Sequence, residues 1–294
     1  MNKSNRFFKI LISSILVALI LSSCSLDALF YEEEENVKTG NLIAHFLDVG
    51  QGDSTFIELP NGETMLIDAS VSGLGEGIES YINDCGYSKI DYLVATHPHA
   101  DHIGSMAYIV ENLDIGKIYM PNVSTTTRTF EKLLTAISEK GMKIQSAKAG
   151  MNILDNSNLD IDILAPVKII EDDLNNCSVV LKITYNNNSF LFTGDAEKVE
   201  FETINADMSA DVLKVPHHGS RTSTNKEFLE RVNPQIAVIS LGKDNEYGHP
   251  HKSTLKYLKE FGVTTYRTDK DATVIVTSDG NDISVDTNGI SIGE

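Results

Sequence analysis

Apolar positions along the chain fall into short runs separated by turn residues, a pattern that predicts many strands with helices between them. The first two runs, 43–49 and 55–59, flank the polar loop Gly50-Gln51-Gly52-Asp53, and Asn61-Gly62 is a strong hairpin signal. Further strands are predicted at 65–67, 90–95, 117–120, 142–146, 179–184, 189–192, 212–215, 236–240, 264–266 and 273–277. Helices are predicted at 78–84, 103–112, 130–139, 226–232 and 254–261. Strands that first form meanders and then alternate with helices indicate a mixed α/β or layered α+β domain.

The first 23 residues have the pattern of a processing segment. Basic residues among the first nine positions precede an apolar run from Ile10 to Leu21, which is too short for a comfortable membrane span. The run ends at Leu21-Ser22-Ser23-Cys24, which resembles a bacterial lipobox and implies cleavage before Cys24 and lipidation of its thiol. We therefore predict a lipoprotein signal peptide over 1–23 and a mature chain anchored to the membrane outside the cytoplasm. A plain signal peptide, or an uncleaved anchor with an incidental cysteine, is the alternative.

The next segment, residues 24–40, includes four consecutive glutamates at 32–35. A run of like charges is typical of a solvated tether, so this segment is predicted to space the domain from the membrane. The folded domain is predicted to occupy 41–294, which is long enough for a sizeable core. The chain has only 3 cysteines, too few for a disulfide framework.

Acidic residues strongly outnumber basic ones: 42 Asp+Glu against 24 Lys+Arg give a formal net charge of −18. This charge argues against a protein that holds nucleic acid through a broad basic face. It does not exclude an enzyme that holds a phosphate group through metal ions, because the ions would supply positive charge.

The strongest chemical signal is His97-Pro98-His99-Ala100-Asp101-His102, which follows a predicted buried strand and precedes a predicted helix. In an extended stretch, side chains two positions apart point the same way, so His97 and His99 could converge on one ion. Asp101 and His102 could face a second ion. Zinc, manganese and iron all accept imidazole nitrogen and carboxylate oxygen. Such a cluster at a strand end favours a metal site over a solvated polar loop.

Two other predicted strands end in candidate ligands. Asp195 follows the strand 189–192, and His217 follows the strand 212–215. Beside the histidine cluster they would complete a two-metal site with Asp195 as the bridge. In isolation, Asp195 would be interpreted as the N-cap of a helix over 197–205.

Together these motifs resemble the metal signature of the metallo-β-lactamase superfamily, and more specifically the extracytoplasmic hydrolase domain of the ComEC family of competence proteins. The resemblance extends from about residue 43 to residue 276. It implies an αβ/βα four-layer sandwich of two mixed β-sheets, with the metal site where strand ends meet. The segments that carry it are HFLDVGQGDS (45–54), ATHPHADHIG (95–104), FTGDAE (192–197), VPHHGS (215–220) and YGHP (247–250).

The resemblance implies two divalent metal ions, zinc or manganese. Asp68 would support the histidine cluster through hydrogen bonds. A third histidine that many superfamily members carry is absent; the region reads Asn175-Asn176-Cys177-Ser178, where Asn176 could offer an amide oxygen. Cys177 could be a ligand, although a buried structural thiol is the favoured role. The implied ligands are His97, His99 and Asp195 for the first ion, and Asp101, His102, Asp195 and His217 for the second.

The function that the resemblance implies is a secreted, lipid-anchored hydrolase that uses a metal-activated hydroxide to cleave phosphodiesters, with DNA as a candidate substrate. Asp101 would orient the attacking group, and His249 would assist at the phosphate or the leaving group. The ligand set alone supports only a metal-dependent hydrolase. Two alternatives stay open: a hydrolase of small acyl or phosphoester compounds (a lactone, lactam, thioester or nucleotide), which the acidic charge favours, and a non-catalytic binding protein.

Overall fold

Two mixed β-sheets face each other in the computed structural model, which describes residues 40–170 and 172–293. The predicted signal peptide, Cys24 and the tether up to Thr39 lie outside the described residues. Among the described helices, none has both the length and the apolar character needed to span a bilayer.

The described strands are, in chain order, β1 (Leu42–Phe46), β2 (Thr55–Glu58), β3 (Thr64–Ile67), β4 (Lys89–Val94), β5 (Asp114–Pro121), β6 (Ile144–Ala147), β7 (Met151–Asp155), β8 (Leu159–Ala165), β9 (Val180–Tyr185), β10 (Asn188–Phe192), β11 (Val212–Lys214), β12 (Ile236–Ile239), β13 (Thr264–Arg267), β14 (Val274–Ser278) and β15 (Ile283–Thr287). The described helices are α1 (Gly75–Asp84), α2 (Ala100–Ile103), α3 (Met106–Asn112), α4 (Arg128–Glu139), α5 (Lys198–Thr203), α6 (Lys226–Val232), α7 (Lys252–Glu260) and α8 (Thr268–Asp271). Single 3₁₀ turns occur at Asn175–Cys177 and Pro216–Gly219.

Each sheet has a parallel part and an antiparallel part. The first sheet has the order β15-β14-β1-β2-β3-β4-β5-β6, and its strands are parallel from β3 to β6. The second sheet has the order β13-β12-β11-β10-β9-β8-β7, and its strands are parallel from β10 to β13. The ligand-bearing loops follow β4, β10 and β11, which all belong to these parallel parts.

The buried apolar side chains form three clusters, one between the sheets and one on the outer face of each sheet. Leu42, Ala44 and Phe46 of β1 point between the sheets, where they pack with the inner face of the second sheet. The opposite face of the first sheet packs against α1, α3 and α4, and the second sheet packs against α5, α6 and α7. Burial of one large side chain such as Phe46 contributes roughly 1.5–3 kcal/mol. The result is the predicted four-layer αβ/βα sandwich, so the predicted fold class is confirmed.

The predicted helix over 103–112 is two helices, α2 and α3, because the chain between them is held against the loop that follows β3. The Ser105 N–H donates to the Ala69 carbonyl at 3.1 Å. At Gly104 a Cβ would overlap the Ser72 nitrogen, so only glycine allows this approach. The contact fixes the position of α2, which carries two of the predicted ligands.

Candidate metal centre

The histidine cluster begins where β4 ends and continues into α2. His97 is fully buried, and its Nε2 lies 2.9 Å from His99 Nδ1. The rings of His97 and His102 have centroids 4.1 Å apart. The extended backbone at His99 and the helix that starts at Ala100 therefore turn all three imidazoles toward one point.

Asp68 lies beneath the cluster and fixes it. One carboxylate oxygen accepts the Thr96 N–H at 2.8 Å, and the other accepts the Thr96 hydroxyl at 2.7 Å. The second oxygen also lies 2.7 Å from His102 Nδ1. A proton on Nδ1 that is held in this way leaves Nε2 as the free ligand atom of His102.

Asp195 lies between imidazoles that come from both sheets. Its Oδ1 is 3.3 Å from His102 Nε2, and its Oδ2 is 3.7 Å from His217 Nε2. The Asp195 N–H donates to the Ser178 hydroxyl at 3.1 Å. The N-cap of α5 is Glu197 and not Asp195, so the side chain of Asp195 is left free for the centre.

The 3₁₀ turn after β11 places two consecutive histidines at the centre. His217 and His218 both have left-handed φ values, 51° and 50°. His218 is buried, and its Nε2 lies 3.4 Å from Asp101 Oδ2 and 3.6 Å from Asp195 Oδ2. His217 is partly exposed, and its Nδ1 lies 3.0 Å from Glu197 Oε1. The sequence pattern indicates only His217 as a ligand, whereas the structure brings both residues to Asp195.

A buried ion pair that the sequence pattern does not indicate adjoins the centre. Lys214, at the end of β11, pairs with Asp53, and both side chains are nearly inaccessible. Asp53 Oδ1 lies 3.6 Å from His218 Nδ1. The sequence feature that could have indicated this ion pair is a lysine at the end of an otherwise apolar strand, because a lysine buried in such a strand needs an acidic partner.

The chemistry of this centre fits divalent metal ions. Ligand atoms of four buried residues lie within 4.8 Å of one another. Each of these residues has a buried side-chain atom that makes no hydrogen bond in good geometry with the described residues, although some of these atoms lie 3.3–3.6 Å from an oppositely charged group. An unsatisfied buried polar atom costs about 1–3 kcal/mol, and a cation would satisfy several at once. The four atoms are Asp53 Oδ1, His102 Nε2, Asp195 Oδ1 and His218 Nε2.

Asn176 does not offer its amide oxygen to the centre. That oxygen accepts the backbone N–H groups of Glu197 and Glu200, both at 3.1 Å, and so stabilises the start of α5. The neighbouring residue Asn175 lines the pocket instead. Cys177 is buried, with its sulfur 3.2–3.3 Å from the Ile170 backbone, as expected for a structural thiol.

A pocket of about 320 Å³ opens beside the ligands. His249 lines it; burial, reinforced by nearby His218 and His217, lowers the pKa of His249 to about 4. His249 is therefore neutral near pH 7, where it can donate or accept a hydrogen bond but is a poor proton donor. The ring of Tyr247, which is 65% exposed, stacks on the His249 ring with a distance of 5.7 Å between the ring centroids.

The carboxylates and imidazoles of the centre set one another's charge. Burial opposes the charged form of His102, but Asp195 and Asp68 outweigh it and raise its pKa well above the ordinary value. Burial also opposes ionisation of Asp101, but His218 and His102 lower its pKa. Without metal, protons on imidazoles thus neutralise the carboxylates.

This charge balance predicts how the stability of the metal-free protein depends on pH. His102 and His218 have raised pKa values, so their stabilising protons are fully bound below about pH 6.5 and are lost as the pH rises. His97 and His99, whose pKa values burial lowers, contribute the opposite slope only below about pH 7. In chelator the free energy of unfolding, measured with urea, should fall as the pH rises above about 7, where the histidines of the unfolded chain have lost most of their protons.

Zinc provides the control for this pH prediction. Because a bound ion displaces the imidazole protons, saturating zinc should abolish the fall. A flat profile above about pH 7 without metal would contradict the prediction, since it would mean that the pKa values of His102 and His218 are not raised in the folded protein.

Residues 47–243 match the family model of the metallo-beta-lactamase superfamily. Among curated proteins, ComE operon protein 3 of Bacillus subtilis is 33% identical over 248 residues, which are 78% of this chain and 32% of that protein. Recombination protein 2 of Haemophilus influenzae is 28% identical over 221 residues, 73% of this chain and 26% of that protein. The chain thus spans about a third or less of the length of these relatives.

Among solved structures, the metallo-beta-lactamase fold protein YhfI from Bacillus subtilis superposes with a TM-score of 0.51 at 13% identity. The match covers 81% of this chain and 100% of that one. At this identity the likeness shows a shared fold.

Proposed function

Because the chain belongs to the metallo-beta-lactamase superfamily, we propose that it is a metal-dependent hydrolase that cleaves phosphodiester bonds, with DNA as its substrate. The observation that carries this proposal is the buried cluster of imidazoles and carboxylates whose ligand atoms lack partners among the described residues. Since this fold hosts many substrates, the choice of substrate depends on the pocket and on the relatives.

Two divalent ions, zinc or manganese, would bind in the centre. When bound, such ions lower the pKa of water and neutralise charge that develops on phosphate oxygens. His218 is an alternative to His217, since their Nε2 atoms lie 3.6 and 3.7 Å from Asp195 Oδ2. The two ligand sets, which share Asp195, are His97, His99 and Asp195 for one ion, and Asp101, His102, Asp195 and His217 for the other.

Three side chains that line the pocket suit a phosphodiester. Gln51 Oε1 accepts the Gly242 N–H at 3.2 Å, and its buried Nε2 has no partner within the described ranges, so the amide can donate to a phosphate oxygen. Neutral His249 can donate a second hydrogen bond. The ionised carboxylate of Asp101 can accept a hydrogen bond from the attacking water and orient it.

The relatives and the N-terminal sequence favour a DNA substrate outside the cytoplasm. A relative at 28% identity is named a recombination protein, and recombination acts on DNA. The lipobox-like segment ending at Cys24 would anchor the enzyme to the outer face of the cell membrane. The bound ions would supply local positive charge where the DNA backbone approaches, in a chain whose formal net charge is −18.

A hydrolase of small acyl or phosphoester compounds is the second candidate. The pocket of about 320 Å³ has the size of a small-molecule site, and the acidic charge of the chain does not oppose a small substrate.

The Asp101→Ala variant tests the proposed function. The full chain, supplied with manganese or zinc, should cleave plasmid DNA and a bis-aryl phosphodiester. Loss of the Asp101 carboxylate should lower kcat about a hundredfold, the lower end of the effect of a positioned acid–base group. The matched control is Asp282→Ala, which removes an exposed carboxylate in the β14–β15 turn and should leave turnover unchanged.

Two other outcomes of this assay would each favour a different function. Turnover of the β-lactam nitrocefin without phosphodiester cleavage would replace the proposal by the small-molecule hydrolase. An inactive wild-type protein that binds no metal would favour a non-catalytic binding protein.

A further inference from the structure

Outside the centre described above, a second group of ligand atoms lies under α1. His45 of β1, Glu58 at the end of β2 and Cys85 directly after α1 each offer one ligand atom, and these atoms lie within 4.8 Å of one another. We infer that these three residues bind a divalent metal ion of the zinc class.

The register of the first sheet places two of the ligands side by side. In the antiparallel pair β1–β2, His45 is opposite Phe56 and Glu58 is opposite Ile43. His45 and Glu58 are therefore diagonal neighbours on the same face of the sheet. This face packs against α1, whose C-terminal end brings Cys85 over the pair.

Two tyrosines already hold the proposed ligands in position. Tyr81 OH lies 3.0 Å from His45 Nδ1, and Tyr87 OH donates to Glu58 Oε2 at 2.7 Å. The remaining atoms, His45 Nε2 and Glu58 Oε1, face each other at 3.0 Å. Histidines that bind metals are commonly held by a hydrogen bond at their other ring nitrogen. An ion bound to both atoms would take the place of this contact between Nε2 and Oε1.

The donor set and its surroundings suit zinc. Imidazole nitrogen, carboxylate oxygen and thiolate sulfur are all zinc ligands, and three protein ligands leave one position open. A cavity of about 530 Å³ lined by His45 and Cys85 adjoins the group, so water or a small anion can reach that position. Burial and the Glu58 charge raise the pKa of Cys85 to about 11, so binding would release the thiol proton.

Titration of the full chain with Co²⁺, a spectroscopic substitute for zinc, tests this inference. A thiolate ligand should produce a sulfur-to-cobalt charge-transfer band in the near ultraviolet. The band should appear in the wild type, disappear in Cys85→Ser and persist in Cys24→Ser and Cys177→Ser, which alter the other cysteines. Zinc bound per chain should fall by about one ion in Cys85→Ser, because three protein ligands define one site.

Glu58→Gln keeps the shape of the side chain and removes its charge, so it tests the site even if Cys85→Ser unfolds. It should weaken cobalt binding at least tenfold, since a neutral amide oxygen replaces a charged ligand. Circular dichroism would confirm that each variant is folded. A wild type without the band, a band that survives Cys85→Ser, or unchanged affinity in Glu58→Gln would overturn the inference.

Discussion

Replacement of Asp195 by asparagine is expected to lower phosphodiester turnover about a thousandfold. Asp195 faces imidazoles from both sheets, and it is the proposed shared ligand of both ions. The charge stabilisation that bound ions provide is worth several kcal/mol, and each 1.4 kcal/mol is a factor of about ten in rate. Turnover of a bis-aryl phosphodiester and metal content by mass spectrometry measure the two losses together.

The matched control for this variant is Asp207→Asn. Asp207 is exposed and pairs with Lys182 on the surface, so its loss should leave both turnover and metal content unchanged. If the Asp195→Asn protein kept its metal and its turnover, Asp195 would not be a ligand of the ions, and the proposed bridge would be wrong.

Replacement of Lys214 by methionine is expected to lower the free energy of unfolding by about 3–5 kcal/mol. Lys214 and Asp53 have side chains only 4% and 5% exposed, so the variant would leave the Asp53 carboxylate buried without its cation. Urea denaturation of the metal-free protein measures the loss.

Lys89→Met provides the comparison, because Lys89 pairs with Asp91 while 52% of its side chain is exposed. An exposed pair of this kind contributes about 0–1 kcal/mol. Equal losses in the two variants would mean that another group, such as His218 at 3.6 Å, neutralises Asp53. If Asp53 is the cause, the double variant Asp53→Asn/Lys214→Met should recover part of the loss.

The family and the fold could be predicted because their signals are local in the chain. The histidine cluster, the Gly-Asp segment and the His217-His218 pair each directly follow an apolar run, and the family match over 47–243 confirms the resemblance that they carried. Strand periodicity located most of the sheet, since a run with one buried face has a fixed repeat. The helix considered over 197–205 exists as the shorter α5.

What the sequence did not predict depends on contacts between distant residues. The strands β7, β8 and β15 were missed; β7 and β15 bury few side chains, so no strong apolar run marks them. The pairing of Asp53 with Lys214 joins positions 161 residues apart. Both His217 and His218 reach the centre because these two consecutive residues are left-handed, a conformation that no local pattern indicates.

The ligands of the candidate centre come from both halves of the sandwich. His97, His99 and His102 follow β4 of the first sheet, whereas Asp195 and the two consecutive histidines follow β10 and β11 of the second. A cation bound between these groups would cross-link the two sheets. Metal binding would then stabilise the whole domain, and a chelator would weaken the association of the two sheets as well as remove the ion from the pocket.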